Sequence, residues 1–312
     1  MKTGNLRNLL ILFLLMVLSS ALACSAGGRD VYQVSSLAVD SFTNLILPDD
    51  KPVLKKKILV APVIDKAGLN ESQSEEVRQD CISILSKDKY LLVTKLDKKD
   101  DNESESVLEK YGEVINPSYV KTAEEKGMDM VMTCVIHPLE ITEKRTGIWP
   151  FRKDSYNVLI TVSINALDTL NGTLIVYEDK TEDINFKKTT AESGEWTPDS
   201  NIIKDEILSM TKKLSYSVID KLRKQPWQSK VIVDGTDLII NAGKAIGINE
   251  NTVFEIFAKG ELIDSFSNEQ YYTFGGKIGE TRVASISENR SVLASNIDLK
   301  DAAFVRVKRS DD

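Results

Sequence analysis

Histidine is almost missing from this 312-residue chain, which carries one, His137, beside three cysteines, Cys24, Cys81 and Cys134. A hydrolase working near neutral pH most often draws its base from histidine. A protein zinc site takes four ligands, mostly cysteine and histidine. The chain holds too few of either, and His137, placed before Pro138, reads as a structural residue. Phosphate-cradling loops are missing too: the glycines of SGEWTPDSN and TFGGKIGE do not follow a strand and open a helix. Adjacent acids, Glu124 with Glu125 and Asp100 with Asp101, lie in charged, solvated stretches, whereas glycosidases hold two carboxylates across a cleft. DKKDDNESE has the acids of a calcium loop without its glycine. No catalytic residue, cofactor or metal is expected.

Clustered basic charge is also scarce. The 40 Lys and Arg are interspersed among 47 Asp and Glu, and no basic stripe studded with aromatics occurs, which argues against a nucleic-acid partner. Long apolar runs are limited to residues 9–18, well short of the roughly 20 residues a spanning helix needs. That run follows Lys2 and Arg7 and precedes Ser19, Ser20, Ala21 and Ala23, the pattern of a secretory signal. Without residues 1–23 the 40 basic residues lose Lys2 and Arg7, leaving 38 against 47 acids, near −9. Ala21-Leu22-Ala23 suits ordinary cleavage, and the same residues before Cys24 resemble a lipobox, whose cysteine is lipidated. Ser25 behind it implies, by the same resemblance, an outer-membrane destination.

Four segments follow: a signal at 1–23, a tether at 24–52, an α/β domain at 53–227 and a small β-barrel domain at 228–312. In the α/β part, residues 58–63 are a compact apolar strand and 73–86 a helix. On that helix Val77, Cys81, Ile84 and Leu85 share one face. Cys134 lies in the apolar stretch MVMTCVI. Both cysteines therefore read as core, with a Cys81–Cys134 disulfide as the alternative left open. VLEKYGE at 107–113 is a weak helix, and the next helix has Asn116 to cap it, Pro117 in its first turn and Gly127 at its end. Residues 129–145 read as one long strand. Tyr156, Val158, Ile160, Val162 and Ile164 alternate with polar residues in another, and 168–172 turns the chain into a third. Ile203, Ile207, Met210, Leu214, Val218 and Leu222 recur at helical spacing until Pro226. The expected class is a mixed sheet with helices packed on it, followed by a small all-β barrel of five or six short strands.

KKILVAPVIDKAG, then AEEKGMDMVMTCVI with Ala123, Gly127, Asp129 and Val131, resembles the α/β domain of Tol-system, curli-secretion and flagellar-assembly periplasmic proteins. Asp168, Asn171 and Gly172 match the hairpin turn of that group. Gly243, Gly247, Ile248, Phe254 and Ile256 resemble the C-terminal barrel of flagellar assembly protein T and related lipoproteins. The resemblance implies a non-catalytic envelope lipoprotein that assists or scaffolds a larger machine through protein–protein binding. It would be lipid-anchored at Cys24 and face the periplasm from the outer membrane, with homo-oligomers among its forms. The alternatives are a pore-forming secretion lipoprotein and an envelope hydrolase or glycan-binding enzyme with an unrecognised site.

One loop adds a binding candidate. EKRTGIWPFRKDS places Trp149 and Phe151 between two strands, flanked by Arg145 and Arg152. Either the aromatics fold back over the sheet edge, or the loop is a partner-binding tip, since aromatics and Arg dominate interface energetics.

Overall fold

The computed structural model describes residues 54–96, 108–110, 113–148, 150–151, 153–187, 196–235, 237–264, 270–294 and 302–308. Two parallel pairings start the first sheet. β1 (Lys56–Val60) lies between β3 (Leu91–Lys95) and β6 (Met130–Ile136), and the two-residue β2 (Ile64–Asp65) also pairs with β6. α1 (Glu71–Leu85) makes the crossover from β2 to β3. Asn70 and Gln73 close a capping box at its start, each side chain meeting the other's backbone N–H.

α2 (Pro117–Glu125) starts at Asn116, whose side chain accepts from the Ser118 N–H, and Gly127 follows its end at φ +63°. The stretch 107–113, expected to be helical, is a correction. Its described residues form two short antiparallel strands, β4 (Leu108–Lys110) and β5 (Glu113–Ile115). Only Tyr111 and Gly112 separate them, and a two-residue connection with glycine favours a hairpin over one isolated helical turn.

The long strand expected at 129–145 is likewise two. β6 stops at Ile136 and β7 (Glu140–Thr146) resumes after Pro138, which has no N–H to give to a ladder. β8 (Lys153–Asp168) runs antiparallel to both, its inner half beside β6 and its outer half beside β7. β9 (Leu174–Lys187) covers the other side of β8 from Ser155 to Leu167. The turn joining β8 to β9 is held by Gly172 N–H donating to Asp168 O, with Gly172 at φ +61°.

α3 (Ser200–Lys224) lies with α1 on one face of this sheet. Val158, Ile160, Val162 and Ile164 are wholly buried there against Ile207, Met210 and Val218. At about 1.5–3 kcal/mol for each fully buried aliphatic side chain, that stripe is a main source of cohesion. It is therefore core, and does not form the lipid-facing band a pore strand would need. α2 covers the opposite face through Tyr119, Val120 and Ala123 against Leu59, Val131 and Leu167.

The second sheet has seven antiparallel strands that curl into a nearly closed barrel. These are β10 (Gln228–Lys230), β11 (Ile232–Asp234), β12 (Asp237–Ile240), β13 (Val253–Asp264), β14 (Gln270–Ile286), β15 (Ser291–Leu293) and β16 (Ala302–Val307). Five are short as expected, but β13 and β14 are long and form a bulged hairpin. The bulge is forced where backbones touch: a Cβ on Gly275 would lie 2.7 Å from Lys259 O. Leu238, Ile240, Phe254, Ile256, Leu293 and Val305 fill the barrel. Leu54 and Trp227, which lie just before β1 and just after α3, are buried in that same core.

Candidate functional site

The two sheets are joined by a polar cluster. Lys56 is 6% exposed, and its Nζ donates to Leu222 O and Gln225 O, each at 2.7 Å. It thereby places a cation on the carbonyl end of α3. Lys57 donates from its backbone to Asp129 Oδ2 (2.8 Å) and from Nζ to Asn241 O in the second sheet (2.8 Å). Asp168, buried at the start of the β8–β9 turn, accepts from the Leu170 N–H at 2.8 Å and from Gln228 Nε2 at 3.0 Å. Two further contacts cross the same seam: Lys55 N–H to Ile246 O at 2.8 Å, and the Lys230–Glu124 ion pair at 2.5 Å.

Desolvation sets the protonation of these acids. It pushes Asp129 up to about 6, against the pull of Lys57 and with the Asp168 charge adding to the rise. It raises Asp168 as well, opposed by the Leu170 N–H, by Gln228 and by the more distant Lys56 and Lys230 charges. The Trp227 indole N–H lies near enough to favour the Asp129 anion but makes no well-formed hydrogen bond. Lys56, Asp129, Asp168, Trp227 and Gln228 line a crevice of about 20 Å³. That is room for about one water, which needs some 10–15 Å³, and too little for an organic substrate. Nothing in the spacing of the KKK run at 55–57 or of the two aspartates distinguishes this joint from ordinary surface charge. Asp129 and Asp168 stood out only as positions of a resembling motif.

The other feature is an arm. Beyond Val158 the outer halves of β7, β8 and β9 run on past the buried stripe, and every residue of β7 is exposed. Trp196 closes one face of the arm's base, stacked on Tyr156 at 4.1 Å and edge-on to Phe186 at 5.4 Å. At the tip, Phe151 N–H donates to Ile148 O at 2.7 Å, closing a tight turn after Gly147 at φ +97°. Ile148 and Phe151 are 84% and 81% exposed, so Phe151 does not fold back over the sheet. Arg145 sits on β7, 65% exposed, with Asp154 at 3.4 Å and Glu143 at 3.9 Å. Trp149, Arg152 and Cys24 lie outside the described residues.

The remaining candidates are internal. Cys81 and Cys134 are buried free thiols in the core under α1 and α3. Burial pushes Cys81 up to about 11, partly offset by its contact with Ser215 Oγ at 3.3 Å, and raises Cys134 as well. Such thiols are inert. His137 Nε2 lies 2.9 Å from Ser163 Oγ at the break between β6 and β7. Among the described residues no group of three or more His, Cys, Asp or Glu is placed to hold a metal ion. No described helix is long and apolar enough to cross a membrane.

No protein-family model matches the chain, and no curated protein matches it. Among solved structures, the PelC dodecamer from Paraburkholderia phytofirmans is similar at 14% identity, over 56% of this chain and 93% of its own, with a TM-score of 0.30. Lipoprotein GNA1162 from Neisseria meningitidis is similar at 12% identity, over 55% and 99%, with a TM-score of 0.28. The LpoB C-terminal domain from Salmonella enterica is similar at 10% identity, over 46% and 93%, with a TM-score of 0.26. At TM-scores this low the likenesses carry no argument about what this chain does.

Proposed function

We propose that this chain is a non-catalytic accessory protein of a bacterial envelope. It is anchored by a lipid on Cys24, faces the periplasm from the outer membrane, and assists a larger assembly through contacts with envelope proteins or further copies of itself. In this reading residues 1–23 are removed, 24–52 are the tether, and 53–227 and 228–312 are the two domains it presents. The observation that carries the non-catalytic part is the joint. The buried acids and lysines that could have formed a reaction centre are engaged in structural bonds, Lys56 with the carbonyl end of α3, Asp129 with the Lys57 N–H and Asp168 with Gln228 of the second sheet, and the space between them holds about one water. The lipobox-like sequence ahead of Cys24 supports the anchor.

Two measurements test this. Mass spectrometry of the mature N-terminus should find a diacylated or triacylated Cys24, and an unmodified Cys24 would sink the anchor. Crosslinking in intact membranes should give specific adducts of this chain that disappear in Cys24→Ala. A joint variant such as Asp168→Asn that keeps its melting temperature but abolishes a measurable hydrolysis would overturn the non-catalytic reading in favour of an envelope hydrolase.

A further inference from the structure

We propose that the tip of the β7–β8 arm inserts into the surface of an anionic lipid bilayer. Ile148 and Phe151 are linked by a backbone hydrogen bond across the tip, and both are more than four-fifths exposed. The strand β8 carries this tip five residues beyond Val158, roughly 17 Å at about 3.4 Å per residue, so the apolar pair stands clear of the body. The arm is braced by cross-strand pairing from Glu140↔Leu159 to Thr146↔Lys153, which keeps the tip from collapsing onto the sheet.

Charge selects the occupant. Residues 144–153 contain four basic side chains and no acidic one, in a chain whose net charge is −7. Lys144 and Arg145 stand on the exposed strand just behind the apolar pair, with Glu143 and Asp154, which bound this basic stretch, at 3.9 and 3.4 Å from Arg145. An apolar tip with a basic collar is the arrangement that enters a lipid headgroup layer, with the apolar groups below it and the cations at the phosphates. A protein partner fits less well. A stable protein interface covers about 800 Å² on each side, far more than the two side chains of this tip offer.

The inference rests on the proposed lipid anchor in one respect, since the anchor brings the arm to a membrane. The anchor and the tip can nevertheless be tested apart.

The experiment uses the exported chain, both as isolated from membranes and as Cys24→Ala. Vesicles contain either phosphatidylcholine alone or phosphatidylcholine with phosphatidylglycerol. An environment-sensitive dye on Ile148→Cys reports the tip, because Cys81 and Cys134 are buried, and the same dye on Glu288→Cys reports the barrel. With phosphatidylglycerol present, the dye at 148 should shift to the blue and be quenched by spin-labelled lipid, while the dye at 288 stays in water. Unlabelled Cys24→Ala chain should sediment with anionic vesicles. That partitioning should fall about tenfold with Phe151→Ala, and further with Lys144→Glu and Arg145→Glu or with added salt. A dye at 148 that stays in water while the chain is bound through its lipid would overturn the proposal. So would equal binding to neutral and anionic vesicles, or a photo-crosslinker at 148 that yields protein adducts and no lipid adduct. An unmodified Cys24 with a lipid-buried tip would remove the anchor and leave this inference standing.

Discussion

Lowering the pH from 7.5 to 5 should make this protein more stable, and Asp129 is the reason. Its carboxyl is pushed up to about 6 by burial between β1 and β6, near the Asp168 charge, against an ordinary unfolded value of about 3.9. An acid whose folded value lies above its unfolded one takes up a proton in the folded state first. Stability therefore rises as pH falls through 6, and levels off below the unfolded value. Between pH 7.5 and 5 the single site contributes about 1.3 kcal/mol. For a unit of this size that is roughly 3–5 °C in melting temperature. Asp168, raised by the same burial, adds in the same direction.

The acids held below their usual range, Glu75, Glu182, Glu255 and Glu280, act with the opposite sign. They act mainly below about pH 4.5, where their unfolded forms are mostly protonated, and the small part that reaches pH 5 is common to wild type and Asp129→Asn. The assay is urea denaturation of wild type and Asp129→Asn at pH 7.5, 6 and 5. Asparagine can still accept from the Lys57 N–H but does not titrate, so the difference between the two curves isolates this carboxyl from every other group. The variant should be about 1–3 kcal/mol more stable than wild type at pH 7.5, and the advantage should shrink by about 1.3 kcal/mol at pH 5. A parallel pair of pH profiles, or a wild type that loses stability between pH 7.5 and 5, would refute the reasoning.

Other outcomes follow from packing. Lys56→Met should cost about 2–4 kcal/mol by chemical denaturation, because it strips two charge-assisted bonds from the end of α3 and removes a counter-charge from Asp168. A cost under about 0.5 kcal/mol would mean that the lysine does not hold the end of α3. Gly275→Ala should destabilise by about 1–3 kcal/mol, since its Cβ would meet Lys259 O at 2.7 Å, whereas Gly276→Ala, with nothing within 4 Å, should be close to neutral. Equal melting temperatures for the two variants would contradict the close approach in the β13–β14 hairpin. Cys81 and Cys134 should resist alkylation in the native protein and react stoichiometrically in denaturant. Prompt labelling without denaturant would place them nearer the surface than α1 and α3 allow.

Much of the local structure was legible in residue order because its causes are local. Asn116-Pro117 starts α2, the 3.6-residue spacing of Ile203 to Leu222 builds α3, and the Tyr156–Ile164 alternation makes one dry face of β8. Where two local signals competed, the reading failed. Pro138 cut one expected strand into β6 and β7, and a two-residue Tyr-Gly connection turned an expected helix into the β4–β5 hairpin. The candidate tip could be found from its composition, because four basic residues around Ile148, Trp149 and Phe151 are visible in any window. That the described part of this tip projects into solvent could not.

The sequence by itself determined the fold class, and the export proposed for the chain rests on sequence alone: periodicity, caps and a signal-like stretch act over a few residues and need no partner elements. Only the tertiary structure decided that Leu54 and Trp227, at the two ends of the α/β segment, finish the core of the barrel. It alone turned Lys57 and Asp168 from scattered charges into a joint between the sheets, because burial and hydrogen bonding between residues up to 184 positions apart leave no periodic trace. The same holds for the arm: whether an aromatic at a strand end is covered or bare depends on which elements pack beside it, and here α3 and Trp196 stop short of Phe151.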